Sequence, residues 1–387
     1  MKKIILAGLI SDKNLGDKII SDCSKHLFVE ETKAYKNIHY EWLDLIYENE
    51  ISWLLRKFKS GIKRFKHKFG IYNDNKRIQN ITEHYSKIIQ QSSLIILVGG
   101  GLIKYQYQNL WIYIHSLISV AAKYNIPVVF SSVGVEGYSE TDKRCIILKK
   151  AINNPIVKII TTRDDFNTLD NLYLKNNDKI SRFFIPDSAI ICSQVYQINK
   201  NSKSDIIGIG IIRGKIFKDN NLDFSEVDVI DLYSNIIREL ENRKYKYQLF
   251  TNGLPVDSEL GQKIFNNINK PFTSNCILVP KNPKELVQII ASFKGVIAAR
   301  LHACIVSYSL EIPVVGIVWN EKLSMFGNNI GYPSRFITND NLGAKQLLDQ
   351  LEVAIAEGYN MNKKNIEVKA LKESAHYILK STNIIEK

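Results

Sequence analysis

Arg300, His302 and Lys322 are the residues of this chain whose types and spacing could do chemistry together. Arg300 and His302 follow the short apolar run Gly295-Val296-Ile297-Ala298-Ala299 and open a stretch of small and apolar residues, 301–310, that reads as a helix. Pro313-Val314-Val315-Gly316-Ile317-Val318-Trp319 is a second apolar run and leads into Asn320, Glu321 and Lys322. Strand, helix and strand with a right-handed crossover place both strand ends on one edge of a parallel sheet. Open α/β sheets bind ligands at that edge, and a helix N-terminus adds free N–H groups that favour an anion. A guanidinium grips a carboxylate or phosphate through a planar fork, and an imidazole moves a proton near neutral pH. The suited chemistry is capture and turnover of a small anionic substrate. A surface ion-pair cluster uses the same residue types, but charges that interrupt two otherwise apolar runs point to a pocket.

The elements that must hold these residues follow from length and pattern. A chain of 387 residues exceeds one ordinary core and should divide in two. In the first part, residues 4–10 form an apolar strand, followed by Asn14-Leu15-Gly16-Asp17 and a helix from residue 18. That order lets backbone N–H groups approach a ligand, yet neither GxGxxG nor GxxxxGK[ST] is present, and Asp17 is equally suited to capping the helix. Residues 94–98 form an unalternating apolar strand, the signature of a central parallel strand, and end in Gly99, Gly100 and Gly101. Glycines there suit a binding loop or a tight turn. A strand over 158–162 ends in Arg163 and Asp164, which makes Arg163 a second anion-binding candidate unless Asp164 holds it in a plain salt bridge.

The polar, unpatterned residues 197–204 read as a linker. A second alternating half starts with a strand over 206–212 and Arg213 at its end; helices follow over 227–242, 259–267, 284–293 and 342–357. The expected domains are therefore 1–197, 205–360 and a helical tail, 361–387, able to cross back onto the first. The fold class is α/β, with two Rossmann-like doubly wound parallel sheets facing a central cleft rimmed by Arg163, Arg213, Arg300, His302 and Lys322.

A formal charge of +13 implies an acidic partner: nucleic acid, an anionic membrane surface or a phosphorylated substrate. Within residues 53–69, Leu54, Phe58, Ile62, Phe65 and Phe69 recur at helical spacing, among seven basic residues and no acidic one. A basic amphipathic helix of this kind suits an anionic membrane interface, or else packs on its own domain with a solvated face. No nucleic-acid motif accompanies it, and charge gathered at strand ends differs from charge spread along a face for a phosphate backbone. The five cysteines are scattered without metal-ligand spacing, so reduced thiols, no metal and a cytoplasmic setting are expected. The opening apolar run is short and breaks at Ser11-Asp12-Lys13, which reads as a strand rather than a signal peptide.

Asn14-Leu15-Gly16-Asp17, Leu97-Val98-Gly99-Gly100-Gly101, Thr162-Arg163-Asp164, Pro186-Asp187 and Arg300-Leu301-His302-Ala303, followed by residues 313–322, resemble in that order the polysaccharide pyruvyl transferase family. The resemblance implies a fold like that of GT-B glycosyltransferases. It implies transfer of enolpyruvate from phosphoenolpyruvate to a sugar as a ketal, with no cofactor, on a nascent or polyprenyl-linked glycan. His302, Arg300 and Arg163 would then be catalytic. Asn14, Gly16, Asp17, Gly99, Gly100, Gly101, Arg213, Leu301, Asn320 and Lys322 would line the substrate site. The helix over 53–69 would hold the enzyme at the inner face of the cytoplasmic membrane. After the triple glycine, Leu102-Ile103-Lys104-Tyr105 departs from the family pattern of a small and then an acidic residue. A GT-B-like glycosyltransferase using a nucleotide sugar is the alternative that the same fold and basic rim allow.

Overall fold

Apolar runs without alternation become central parallel strands because helices cover both faces of such a strand. Residues Leu94–Val98 are buried along their whole length. Each such side chain is worth about 1.5–3 kcal/mol on burial, so these runs dominate the choice of register. The computed structural model describes residues 1–10, 14–47, 74–106 and 109–386. Its strands form two six-stranded sheets in which every strand pair is parallel. The amphipathic helix expected over residues 53–69 lies outside the described residues. Among the described residues no helix is long and apolar enough to cross a membrane, and none of the five cysteines is in a disulfide.

The first sheet contains β1 (Lys2–Gly8), β2 (Ile38–Asp44), β3 (Leu94–Val98), β4 (Val128–Val133), β5 (Val157–Thr162) and β6 (Ser181–Phe184). Their order is β2-β1-β3-β4-β5-β6. The order reverses between β1 and β3, so the crevice beyond these two strand ends is the switch point where such sheets take ligands. Helices α1 (Leu15–Thr32), α2 (Asp74–Ile89), α3 (Leu110–Lys123) and α4 (Lys143–Ile152) accompany these strands. A further parallel pair, Ile103–Lys104 with Val135–Glu136, extends the chain beyond β3 and β4. Its two-residue strands are too short to leave a periodic signal.

The second sheet contains β7 (Ile206–Gly210), β8 (Lys246–Phe250), β9 (Ile277–Leu278), β10 (Gly295–Ala298), β11 (Val314–Ile317) and β12 (Phe336–Ile337). Its order, β9-β8-β7-β10-β11-β12, is the 3-2-1-4-5-6 order of dinucleotide-binding sheets, with the switch point between β7 and β10. Its helices are α5 (Glu226–Asn242), α6 (Pro255–Asn267), α7 (Pro283–Ala291), α8 (Leu301–Ser309), α9 (Glu321–Ile330), α10 (Ala344–Glu357) and α11 (Met361–Ser381). The sequence reading begins α6 at residue 259; the helix starts at Pro255, whose fixed φ suits a first helical turn. That difference matters, because it brings Asp257 into the helix.

By internal contacts the chain divides into two compact units. One comprises residues 1–11, 28–184 and 375–387; the other comprises 12–27 and 185–374. The second unit thus takes in 185–204, which sequence reading gives to the first domain and a linker, because the turn Ser188–Ile191 and the helix Cys192–Tyr196 pack against α8 and α7.

Within the second unit, α11 holds the far end of α8. Lys364 Nζ donates to Ser309 O at 2.7 Å, and Tyr308 Oη donates to Glu367 Oε2 at 2.7 Å. Burial pushes the Glu367 carboxyl above its usual range, with the Tyr308 hydrogen bond opposing. A raised folded-state value means that the contribution of Glu367 to stability is greatest in acid and is lost as pH rises through that value. Glu367→Gln, which keeps an acceptor for Tyr308 and carries no charge, is therefore expected to melt higher than the parent near pH 7. The gap should close as pH approaches the ordinary glutamate range of about 4.3. Thermal melts of both proteins across that range check the sign.

Candidate functional site

Arg300 is the N-cap residue of α8, and no side chain caps this helix. The N-terminus of α8, with its partial positive charge, thus stands at the carboxyl end of β10. Arg300 itself is fixed from behind. Its Nε donates to Asp257 Oδ2 at 2.9 Å and its Nη2 to Asp257 Oδ1 at 2.6 Å. Asp257 is fully buried, and the Arg300 side chain is 16% exposed. One edge of the guanidinium that the sequence reading reserves for a ligand is thus closed on a protein carboxylate. Sequence reasoning missed Asp257. Its only signal was an acid in the first turn after a proline, a position that ordinarily complements the helix dipole.

His302 lies one residue into the same helix and is 8% exposed. Its Nε2 is 4.0 Å from Oδ2 of the equally buried Asp187. The other oxygen of Asp187, Oδ1, accepts from Ala189 N at 2.8 Å, so the carboxylate is fixed by the turn Ser188–Ile191. On its Nδ1 side, the imidazole lies against Gly16. A Cβ on Gly16 would stand 2.2 Å from Nδ1 and 2.4 Å from Cγ, so only glycine lets the start of α1 approach this closely. Asn14 and Asp17 shape that start. Gly16 N donates to Asn14 Oδ1 at 3.1 Å, and Asn14 Nδ2 donates to Asp17 Oδ2 at 2.8 Å. Two motifs far apart in sequence meet here, within the second unit.

The remaining second-unit candidates follow the ends of the neighbouring strands β7 and β11 or open α8. Arg213 follows β7, the strand beside β10; its side chain pairs with Asp219, and its backbone N–H donates to Asp257 Oδ1 at 2.9 Å. Asn320 caps α9 through Oδ1, which accepts from Leu323 N at 3.4 Å, a local role that explains its position after β11. Lys322 is half-buried in the first turn of α9. Leu301 is half-buried in the first turn of α8. Trp319 Nε1 donates to Ala299 O at 2.6 Å, tying the end of β11 to the residue before Arg300.

In the first unit, Gly99 and Gly100 have φ of 55° and 65°, left-handed values that glycine adopts without strain, and they lie at the end of β3, beside the switch point. Ser132 has the same handedness, φ 55°, at a register shift between β4 and β5. A serine there is strained, and the Thr161 side chain offsets the strain by accepting from Ser132 N at 2.8 Å. Arg163, 7% exposed, directly follows β5. Asp164 Oδ1 accepts from Val135 N and Asp165 N, both at 2.8 Å, and so fastens the neighbouring loops. Among the described residues, no group of three His, Cys, Asp or Glu could hold a metal ion.

Comparisons agree with this architecture. A sequence model described as polysaccharide pyruvyl transferase matches residues 14–321. No match is found among curated proteins. Among solved structures, the UDP-GlcNAc 2-epimerase from Methanocaldococcus jannaschii is similar at a TM-score of 0.61, with 11% identity and 100% of each chain covered. The UDP-GlcNAc 2-epimerase from Neisseria meningitidis bound to UDP-GlcNAc is similar at 0.58, with 10% identity, over 99% of this chain and 100% of that one. A glycosyltransferase from Rickettsia africae gives 0.53 and 11% identity, over 100% and 99%. At these identities the likeness shows the fold alone: two Rossmann-like parts of the GT-B type.

Proposed function

Because the chain belongs to the polysaccharide pyruvyl transferase family, we propose that it transfers the pyruvyl group of phosphoenolpyruvate to a pair of sugar hydroxyls in a surface polysaccharide or its precursor. The observation that carries this reading is the Arg300–His302 pair at the carboxyl end of β10, where an oriented cation and a buried imidazole stand at the N-terminus of α8. In the reaction, the methylene carbon of the enol phosphate gains a proton and becomes a methyl group, while a sugar hydroxyl oxygen bonds to C2. A second hydroxyl then displaces phosphate at C2 and closes the ketal. The hydroxyl protons balance the new C–H bond and the released phosphate. His302 is the acid–base group, a role that needs a titratable side chain close to the reacting atoms. Arg300 meets the donor's anionic end, where charge grows on the leaving phosphate. Lys322 and the Arg213 loop are further candidates in the second unit, and the glycine loop and Arg163 are candidates in the first.

Binding decides between this donor and a nucleotide sugar. Millimolar phosphoenolpyruvate is expected to raise the melting temperature of the protein by mass action, and Arg300→Ala to abolish the rise. A rise with a nucleotide sugar and none with phosphoenolpyruvate would replace the proposal by the glycosyltransferase reading.

A further inference from the structure

We infer that Asp257 is a positioning residue, which aims Arg300 by holding its inner edge, Nε and one N–H of Nη2, and leaves the outer Nη1/Nη2 edge for a ligand. This rests on the reading that Arg300 meets the donor's anionic end.

Three hydrogen bonds converge on the Asp257 carboxylate. Two come from Nε and Nη2 of Arg300, and the third from the backbone of Arg213. The carboxylate therefore links the residues that follow β7 and β10, the neighbouring strands on either side of the sheet's switch point. With Nε and one N–H of Nη2 engaged, the two N–H groups of Nη1 and the second of Nη2 form the edge left for a ligand. A three-carbon stem with no such clamp would sample several rotamers, and ordering it on binding would cost affinity or rate. The fully buried Asp257 also offsets much of the Arg300 charge. What Arg300 offers its ligand is then direction more than net charge. Removing the negative charge of Asp257 should leave ground-state attraction for an anion intact or stronger, while the aim needed as charge shifts to the leaving phosphate is lost.

The test uses Asp257→Asn, Arg300→Ala and the double variant in the full chain, with phosphoenolpyruvate as donor. Asp257→Asn is expected to lower kcat about 10–100-fold, the size seen when an orienting partner is removed, with KM for the donor within about 3-fold of the parent. In the Arg300→Ala background, the same change should cost less than about 2-fold, because a group acting through Arg300 has nothing left to aim. Effects that multiply instead would overturn the inference, as would a kcat loss that vanishes once the folded fraction is counted by thermal melting. Should Asp257→Asn not fold, Arg300→Lys retains the charge and loses the fork. It is expected to show the same fall in kcat, and a kcat within about 2-fold of the parent would sink the idea. Failure of the donor reading shows separately, as a parent enzyme inert with phosphoenolpyruvate and active with a nucleotide sugar. The same cycle with that donor then decides the role of Asp257.

Discussion

Replacing His302 by asparagine is expected to lower kcat by about 10²–10⁴-fold, the range that a general acid or base contributes. Asparagine has nearly the reach of the imidazole but cannot titrate near neutral pH. Donor affinity should change far less, because Arg300 and the N-terminus of α8 remain. The site's geometry makes the loss specific. His302 is 8% exposed, with Asp187 Oδ2 at 4.0 Å from Nε2 and Gly16 against Nδ1, so no solvent-borne base can easily take its place. The decisive measurement is the pH–rate profile. The parent should show a limb that the variant lacks, with equal melting temperatures for the two proteins. A variant that folds normally and keeps more than about a tenth of kcat would remove His302 from the chemistry.

Gly16→Ala is expected to damage activity almost as strongly without touching a titratable group. Gly16 lies within helix α1, where alanine alone would favour the helix by about 1 kcal/mol. Against that, the added Cβ would sit 2.2 Å from Nδ1, 2.4 Å from Cγ and 2.7 Å from Cβ of His302. The near atoms include the root of the side chain, so a change of rotamer cannot relieve the contact; either α1 or α8 must shift. Overpacking of this kind costs about 1–3 kcal/mol. A displacement of roughly 1 Å at a catalytic group costs about 10²-fold in rate. Urea unfolding and kcat/KM measure the two effects. The contact also predicts its own relief. In a His302→Ala background, where Nδ1 and Cγ are gone, Gly16→Ala should destabilise clearly less than in the parent, a coupling that a double-mutant cycle reads directly.

Much of this molecule was legible in its residues, and the reason lies in periodicity. Unbroken apolar runs such as 94–98 and 295–299 can be covered only from both faces, so they had to become interior parallel strands. The residues next after such a strand are confined to its carboxyl edge. For that reason Gly99, Gly100 and Gly101, Arg163, Arg213 and the Arg300–His302 pair could be placed from their order in the chain. The succession of family-like motifs, and the match over residues 14–321, draw on the same local information.

Tertiary structure decided what those residues touch. Nothing near Asp257 in sequence marks it as the clamp on Arg300, since an acid in a helix's first turn ordinarily faces water. It became a clamp because α6 turns that face toward the end of β10, where a buried carboxylate requires a buried-side cation. Asp187 and Gly16 reached His302 in the same way, from segments more than a hundred residues away in the chain. The sheet orders, and with them the two switch points, likewise depend on which strands pair rather than on what any strand contains. Sequence alone sets residue type and local period, hence which groups stand at strand ends. Only the packed chain decides which charge is neutralised, which edge of a guanidinium is held and which glycine has no room for a methyl group, because those are properties of neighbours brought together by folding.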